Sequence, residues 1–223
     1  MYFMFRILNK YMKKNILITW TSKWIWKYLT SNLKNDFNVY CISRNSTDIE
    51  GIFDINIDLT NFSEIDDFVK NCEEKNIFFD SLILNAWVWY FWKFEDASDQ
   101  EYLNIINLNL SSNILFVKKV LHLLNEKSKI IFLWSIISKK FMKFWAVYQA
   151  SKFWIRWFAW ALKNELKWKS VHILNPKIVD TWFHDKSNIE LNFSKNQLTP
   201  KKNILDTIIN LLEWNDKRFE IDL

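Results

Sequence analysis

The chain has 223 residues, half of them hydrophobic, which is enough to bury a full core as one domain, and no long Pro/Gly/Ser-rich linker divides it. Its formal charge of +5 comes from Lys and Arg dispersed among Asp and Glu, a pattern that speaks against a nucleic-acid stripe while suiting an anionic cofactor. Two cysteines, Cys41 and Cys72, are too few for a disulfide framework and point to a reducing, cytoplasmic setting.

Met1 to Tyr11 is apolar and aromatic but has neither the run length nor the small-residue cleavage pattern of a secretory signal. Residues 1–11 therefore read as an N-terminal extension or a start placed too early, with the domain at 12–223. Asn15 to Trp20 reads as a buried strand and Lys23 to Leu33 as the helix after it. Phe37 to Ile42 gives a second strand and Phe53 to Leu59 a third; Glu64 to Asn71 then carries Ile65, Phe68 and Val69 at helical spacing. Phe78 to Leu84 is strand four. Helical patterns across Asp99 to Asn107 and Asn109 to Leu124 precede a fifth strand, Lys129 to Trp134. Ala146 to Leu166 is a long helix. The aromatic stretch from Phe141 to Leu162 is interrupted by Lys143, Lys152 and Arg156, which leaves no uncharged run of about 18 residues, so no membrane span is expected. Ser170 to Leu174, Lys201 to Leu212 and Arg218 to Leu223 supply a strand, a helix and a short final strand. This alternation predicts a single α/β domain, a doubly wound parallel sheet flanked by helices.

One feature of the composition is anomalous. Average glycine usage of about 7% would give on the order of 15 in a chain of this length, whereas there is 1 glycine beside 14 tryptophans. Together the two residue types restore an ordinary glycine total. The turn after strand one is written Thr19-Trp20-Thr21-Ser22-Lys23-Trp24-Ile25-Trp26. A turn that binds a dinucleotide must let the backbone approach the pyrophosphate, whose charge is met by amides at the helix start. Indoles take up the space the phosphates need, but with glycine at 20, 24 and 26 the turn becomes T-G-T-S-K-G-I-G.

Ser135 ends strand five, Tyr148 follows thirteen positions later, and Lys152 four after that. On a helix Tyr148 and Lys152 share one face. An ammonium beside a phenol favours phenolate, so the Tyr148 pKa is expected to fall from the usual 10 or so toward the operating range. Tyr148 can then serve as a general acid or base, and Ser135 can donate a hydrogen bond to an oxygen that gathers negative charge.

With glycines restored, the first turn resembles the T-G-x-x-x-G-x-G of the classical short-chain dehydrogenase/reductase family, and Tyr148-Gln149-Ala150-Ser151-Lys152 resembles its Y-x-x-x-K motif. The likeness covers Lys14 to about Thr181. It implies a Rossmann-like sheet and an NAD(P)(H)-dependent oxidoreductase acting on a small carbonyl compound or alcohol. The same exchange turns Leu84-Asn85-Ala86-Trp87 into L-N-A-G, near the family's N-N-A-G, with Leu84 a departure. It also repairs Trp134, Trp154, Trp157, Trp168 and Trp182. The expectation is that the natural polypeptide has glycine at these positions and at Trp20, Trp24, Trp26 and Trp87, by count at all 14 tryptophans, through UGA codons decoded as glycine but translated as tryptophan.

The resemblance sets the cofactor against Thr19, Trp20, Ser22, Lys23, Trp24, Ile25 and Trp26, then Arg44 after Ser43, whose positive charge favours NADP(H) over NAD(H). Asp58 and Leu59 resemble the D-[VL] pair beside the adenine, and Asn85, Ala86 and Trp87 flank the cofactor. Tyr148 and Lys152 contact it as well. Pro176, Ile178 and Thr181 belong to a P-G-x-x-x-T likeness in which Lys177 departs from the glycine. Asn109 resembles the helix asparagine of the family's proton relay, with Asn107 as competitor, so the implied catalytic set is Asn109, Ser135, Tyr148 and Lys152. His122, His172 and His184 lack metal-ligand spacing, and no metal is expected. Trp182 to Pro200 reads as a short lid without a selective signature. The two long apolar helices offer faces for a homodimer or homotetramer. The alternatives are an epimerase or dehydratase that keeps its cofactor, and a non-catalytic cofactor sensor.

Overall fold

The computed structural model describes residues 13–19, 25–90, 92–179 and 198–223. Trp20, Ser22, Lys23, Trp24, Thr181, Trp182 and His184, and the question of an N-terminal extension, lie outside the described residues. The chain runs β1 (Lys14–Thr19), α1 (Ile25–Leu33), β2 (Phe37–Ser43), β3 (Phe53–Asn56), α2 (Phe62–Glu74) and β4 (Phe79–Leu84). It continues through α3 (Asp99–Ile106), a π-helical turn (Asn107–Ser112), α4 (Asn113–Val120) and β5 (Leu124–Leu133). Then come α5 (Ala146–Glu165), β6 (Ser170–Asn175), β7 (Ile178–Val179), β8 (Leu198–Thr199), α6 (Lys201–Leu212) and β9 (Glu220–Asp222).

Seven strands pair in parallel in the order β3-β2-β1-β4-β5-β6-β9, and β7 pairs with β8 beside them. The apolar runs dictate this arrangement, because strands buried on both faces need apolar residues at successive positions. Leu17, Leu82 and Ile130 face Ile65 of α2, Phe116 of α4 and Ile155 of α5. Ile16, Ile18, Ile83 and Ile131 face Leu29 of α1 and Ile208 of α6. The result is the expected doubly wound, Rossmann-like sheet in a single domain. Its carboxyl edge gathers Thr19, Leu84 and Leu133, and the candidate site lies there.

Several boundaries differ from expectation for local reasons. The third strand stops at Asn56 rather than Leu59, although Ile57 N still donates to Ser43 O at 3.0 Å. The second of the two expected helices divides into the π turn, α4 and a 3-10 turn over Leu121–Leu123, and Leu124 already belongs to β5. That strand starts before Lys129 because Leu124 pairs with Phe79, after which an irregularity resets the register to Ser81 opposite Lys129. It ends at Leu133, though Trp134 N donates to Leu174 O at 2.8 Å. His122 is an exposed partner of Glu73 and His172 a buried strand residue, and among the described residues no cluster suits a metal ion. No described helix is long and apolar enough to cross a membrane.

His172 Nδ1 lies 2.7 Å from Arg218 O, while Nε2 is buried with no hydrogen-bond partner. Burial holds its pKa below 6.5 despite the hydrogen bond to Arg218, with the Lys129 charge adding to the depression. The unfolded chain therefore takes up a proton near pH 6.5 that the folded chain refuses, so the His172 contribution to stability is full above that pH and is lost as pH falls below it. Urea midpoints should drop between pH 7.5 and 5.5, and the drop should shrink in His172→Leu; an equal drop in the variant would exclude His172 as its source.

Candidate active site

The loop after β4 is fixed by two buried asparagines. Asn109 Oδ1 accepts from Val88 N at 2.7 Å, and Asn109 Nδ2 donates to Val88 O at 2.9 Å and to Ser151 Oγ at 3.0 Å. One turn later Asn113 Nδ2 donates to Ala86 O at 3.0 Å and Leu108 O at 2.9 Å. The widened turn of Asn107–Ser112 supplies the Leu108 carbonyl, and Ser112 Oγ takes up that of Asn107. Of the two asparagines weighed from the sequence, Asn107 is exposed and Asn109 is buried. At the edge of the sheet Thr19 Oγ1 accepts from Asn85 N at 3.0 Å and Ala86 N at 3.2 Å, tying the end of β1 to that of β4.

Ser135 caps the 3-10 turn Ile136–Lys139, its Oγ accepting from Ile137 N at 3.2 Å. Ile136 N donates to Pro176 O, which joins this turn to the end of β6. Tyr148 and Lys152 lie one turn apart on α5, both buried. Ser135, Tyr148, Asn85, Pro176, Lys177 and Ile178 line one cavity of about 100 Å³. Lys152 Nζ is fully buried without a hydrogen-bond partner, 3.5 Å from the Trp134 ring centroid, 4.6 Å from that of Trp87 and 5.2 Å from that of Tyr148. The Trp134 indole donates from Nε1 to Lys152 O at 2.9 Å.

These surroundings reverse the expected titration. Burial pushes the Tyr148 phenol up from its ordinary value and the Lys152 ammonium down, because each charged form has lost its water. A lowered Tyr148 pKa is therefore not what this arrangement gives. The Lys152 nitrogen rests on indole faces and makes no hydrogen bond to the phenolic oxygen.

At the other end of the carboxyl edge a cavity of about 380 Å³ is lined by Ser43, Arg44, Asp58, Leu59, Tyr90 and Asn107, among others. Ser43 Oγ donates to the Asn45 carbonyl. Asp58 Oδ1 accepts from Thr60 N at 2.9 Å and Thr60 Oγ1 at 2.8 Å, so Asp58 shapes its own turn as well as the cavity wall. Ile25 lines the smaller cavity at the start of α1, and Trp26 is buried in the core below.

The short chain dehydrogenase family pattern matches residues 21–192. The chain belongs to this family. Membership and fold make it an NAD(P)-dependent short-chain dehydrogenase/reductase. A short chain dehydrogenase family protein from Francisella tularensis is 23% identical with a TM-score of 0.83, over 95% of this chain and 97% of that one. A Leptospira borgpetersenii short chain dehydrogenase with bound NAD+ is 19% identical with a TM-score of 0.81, over 95% and 91%. ElxO with NADP bound is 20% identical with a TM-score of 0.79, over 95% and 98%. No curated protein matches the chain.

Within the dehydrogenase, a nicotinamide cofactor fits one end of the site better than the other. The larger cavity has the size usual for a small-molecule site, about 300–1,000 Å³, with an arginine and polar groups in its wall. The smaller one falls short of that range, and the Trp87 and Trp134 indoles, which also cover Lys152, form part of its wall. The buried Lys152 Nζ, without a hydrogen-bond partner, is a donor that a hydroxyl-bearing ligand would satisfy. Other tryptophans do not share this crowding: Trp154, Trp157 and Trp168 are exposed, so steric intolerance within one chain does not apply to them.

Sequence reasoning missed two supports of this dehydrogenase. Asn113 stands one turn after Asn109, and a polar residue on the apolar face of a helical pattern was the available signal. The other is Glu220, which accepts from Arg156 Nε and Nη2 at 2.8 and 2.9 Å, Asn175 Nδ2 at 2.8 Å and Lys139 Nζ at 3.0 Å. Burial would raise its pKa, but these donors pull it down to about 2. Glu220 thereby joins β9 to α5 and to the turn that follows Ser135.

Proposed function

We propose that this dehydrogenase interconverts a small carbonyl compound and its alcohol with NADP(H), and that its natural polypeptide carries glycine where the sequence is written with tryptophan. The observation that carries the first part is the shared cavity of Ser135 and Tyr148, with Lys152 one helical turn beyond Tyr148. When bound, the nicotinamide supplies or accepts the hydride. Tyr148 Oη donates its proton to the carbonyl oxygen in reduction and takes it back in oxidation. Ser135 Oγ donates a hydrogen bond to that same oxygen, which bears more negative charge as the carbonyl is reduced. With the indoles gone, Lys152 sits beside the phenol and favours its ionised form, against the upward push of burial. Asn109 holds the π turn and, through Ser151, the helix that carries both residues. Arg44 beside the larger cavity supports a 2′-phosphate. The face of α5 around positions 154 and 157 is exposed, which supports pairing of that long helix with a second copy in a homodimer or homotetramer.

For the glycine reading, the strongest support is outside the catalytic region. Trp214 follows α6 with φ of 65°, its N–H donating to Leu211 O at 3.2 Å, while Asn215 N donates to Asn210 O at 2.9 Å. This pair of bonds closes a helix through a left-handed residue, where glycine is the usual occupant and a side chain costs about 1–2 kcal/mol. The crowding of Trp87 and Trp134 around Lys152 supports the same exchange.

The coding sequence should show UGA at these positions, and peptides from the native source should carry glycine in mass spectra; UGG codons or native tryptophan peptides would end this reading. The chain with all 14 exchanges should bind NADPH at least about tenfold more tightly than the folded chain as written, measured by fluorescence titration. In that glycine form Tyr148→Phe should keep NADPH affinity and lose about 10²–10⁴-fold in carbonyl reduction, the range for a general acid; unchanged turnover of a carbonyl panel would reject the assignment. Arg44→Asp should shift the NADPH/NADH preference toward NADH by at least about tenfold, since it removes a phosphate partner and adds repulsion; an unmoved ratio would remove Arg44 from cofactor selection.

A further inference from the structure

At the amino edge of the sheet, opposite the dehydrogenase site, another cavity of about 150 Å³ opens among Lys14, Asp80, Asn125, Lys127, Lys129 and Trp214. The strand register produces it. Ile16 pairs with Ser81 and Ser81 with Lys129, so Lys14 near the start of β1, Asp80 of β4, and Lys127 and Lys129 of β5 come to the same end of the sheet. Lys129 is 3% exposed, and its Nζ donates to Leu212 O, the last residue of α6, at 2.6 Å. The Trp214 ring covers the same nitrogen, with its centroid 3.8 Å away.

The charges around this cavity do not balance. Among the described residues, none of the three ammonium groups comes within 4 Å of a carboxylate. Asp80, the one carboxylate in the wall, is engaged by neutral donors: Oδ2 accepts from Asn15 N and Oδ1 from Asn125 Nδ2, both at 2.9 Å. A buried ammonium whose direct partners are a carbonyl and an indole face, in a cavity lined by two further lysines, is unfavourable unless an anion joins them. Burial first, and the Lys14 charge second, bring the Lys129 pKa down to about 7 against the opposing pull of Asp80. The volume equals about five waters, which suits a compact oxyanion and is too small for a nucleotide.

We propose that this amino-edge cavity is an oxyanion site for a phosphate group, held by Lys129 from below and by Lys14 and Lys127 at its mouth. The occupant is either the free ion or the terminal phosphate of a small ester. The site is independent of the cofactor and substrate readings above, since no residue is shared. It does gain from the glycine reading: with Trp214 replaced, the indole over Lys129 is gone and the ammonium faces the cavity directly.

Isothermal titration of the whole chain with inorganic phosphate, at ionic strength fixed with chloride, tests this. One saturable site is expected, at least tenfold weaker in Lys129→Met, a variant that fills the same space without charge and so keeps the fold. Trp214→Gly should bind at least as tightly as the parent. Arg44→Asp should leave phosphate affinity within twofold, because that residue lines the cofactor cavity at the opposite edge. Glycerol phosphate run in parallel identifies the source: comparable affinity marks an ester as the occupant, and a tenfold preference for inorganic phosphate marks the free ion, both supporting the site. Absence of a saturable phosphate site, undiminished binding in Lys129→Met, or loss of binding in Arg44→Asp would overturn it.

Discussion

A parallel sheet must be covered on both faces, and that requirement organises everything else in the protein. The strands carry unbroken apolar runs, such as Ile16-Leu17-Ile18 and Ile130-Ile131-Phe132-Leu133, because neither face meets water. Helices then occupy both faces, and each crossover returns the chain to the same edge. All carboxyl ends consequently lie together, and polar groups excluded from the core collect there. Thr19, Asn85, Ser135 and Pro176 come from four different strand ends, yet they border one region.

Rigidity at that edge is supplied by buried polar side chains used as backbone partners. Asn109 and Asn113 satisfy the amide and carbonyls of a loop that has no strand neighbour, and Thr19 receives two more amides. Glu220 plays the equivalent part on the far side of α5. Its four donors come from α5, β6 and the turn after Ser135, so the last strand is an electrostatic anchor as well as the sheet's edge.

The layers of the fold were legible because apolar periodicity reports burial directly. Element ends were less so, since they depend on partners distant in sequence. Nothing near Leu124 announces a strand until Phe79 lies beside it, and Ile57 to Leu59 look extended whether or not a neighbour remains to bond them. Within the candidate site, spacing alone put Tyr148 and Lys152 on one face, as found. Their titration was not readable in the same way. It depends on what surrounds the ammonium, and the two indoles that surround it come from β4's following loop and from the residue after β5. Asn109 was reached through family resemblance, whereas Asn113, with no motif to mark it, required the folded turn to be seen.

The π-helical turn also bears on how this region tolerates change in length. A π turn accommodates one residue more than an α-helical turn, so Asn107–Ser112 has the form of a single-residue insertion within what would otherwise be one straight helix from α3 through α4. Deleting one residue there would restore regular α-helical bonding and improve the helix locally. It would also rotate α4 by about 100° relative to α3, swinging Phe116 and Val117 out of the core and Asn113 away from Ala86. The locally irregular turn is thus the only phase in which both helices keep their apolar faces on the sheet, and point substitution is a gentler route of divergence here than loss of a codon.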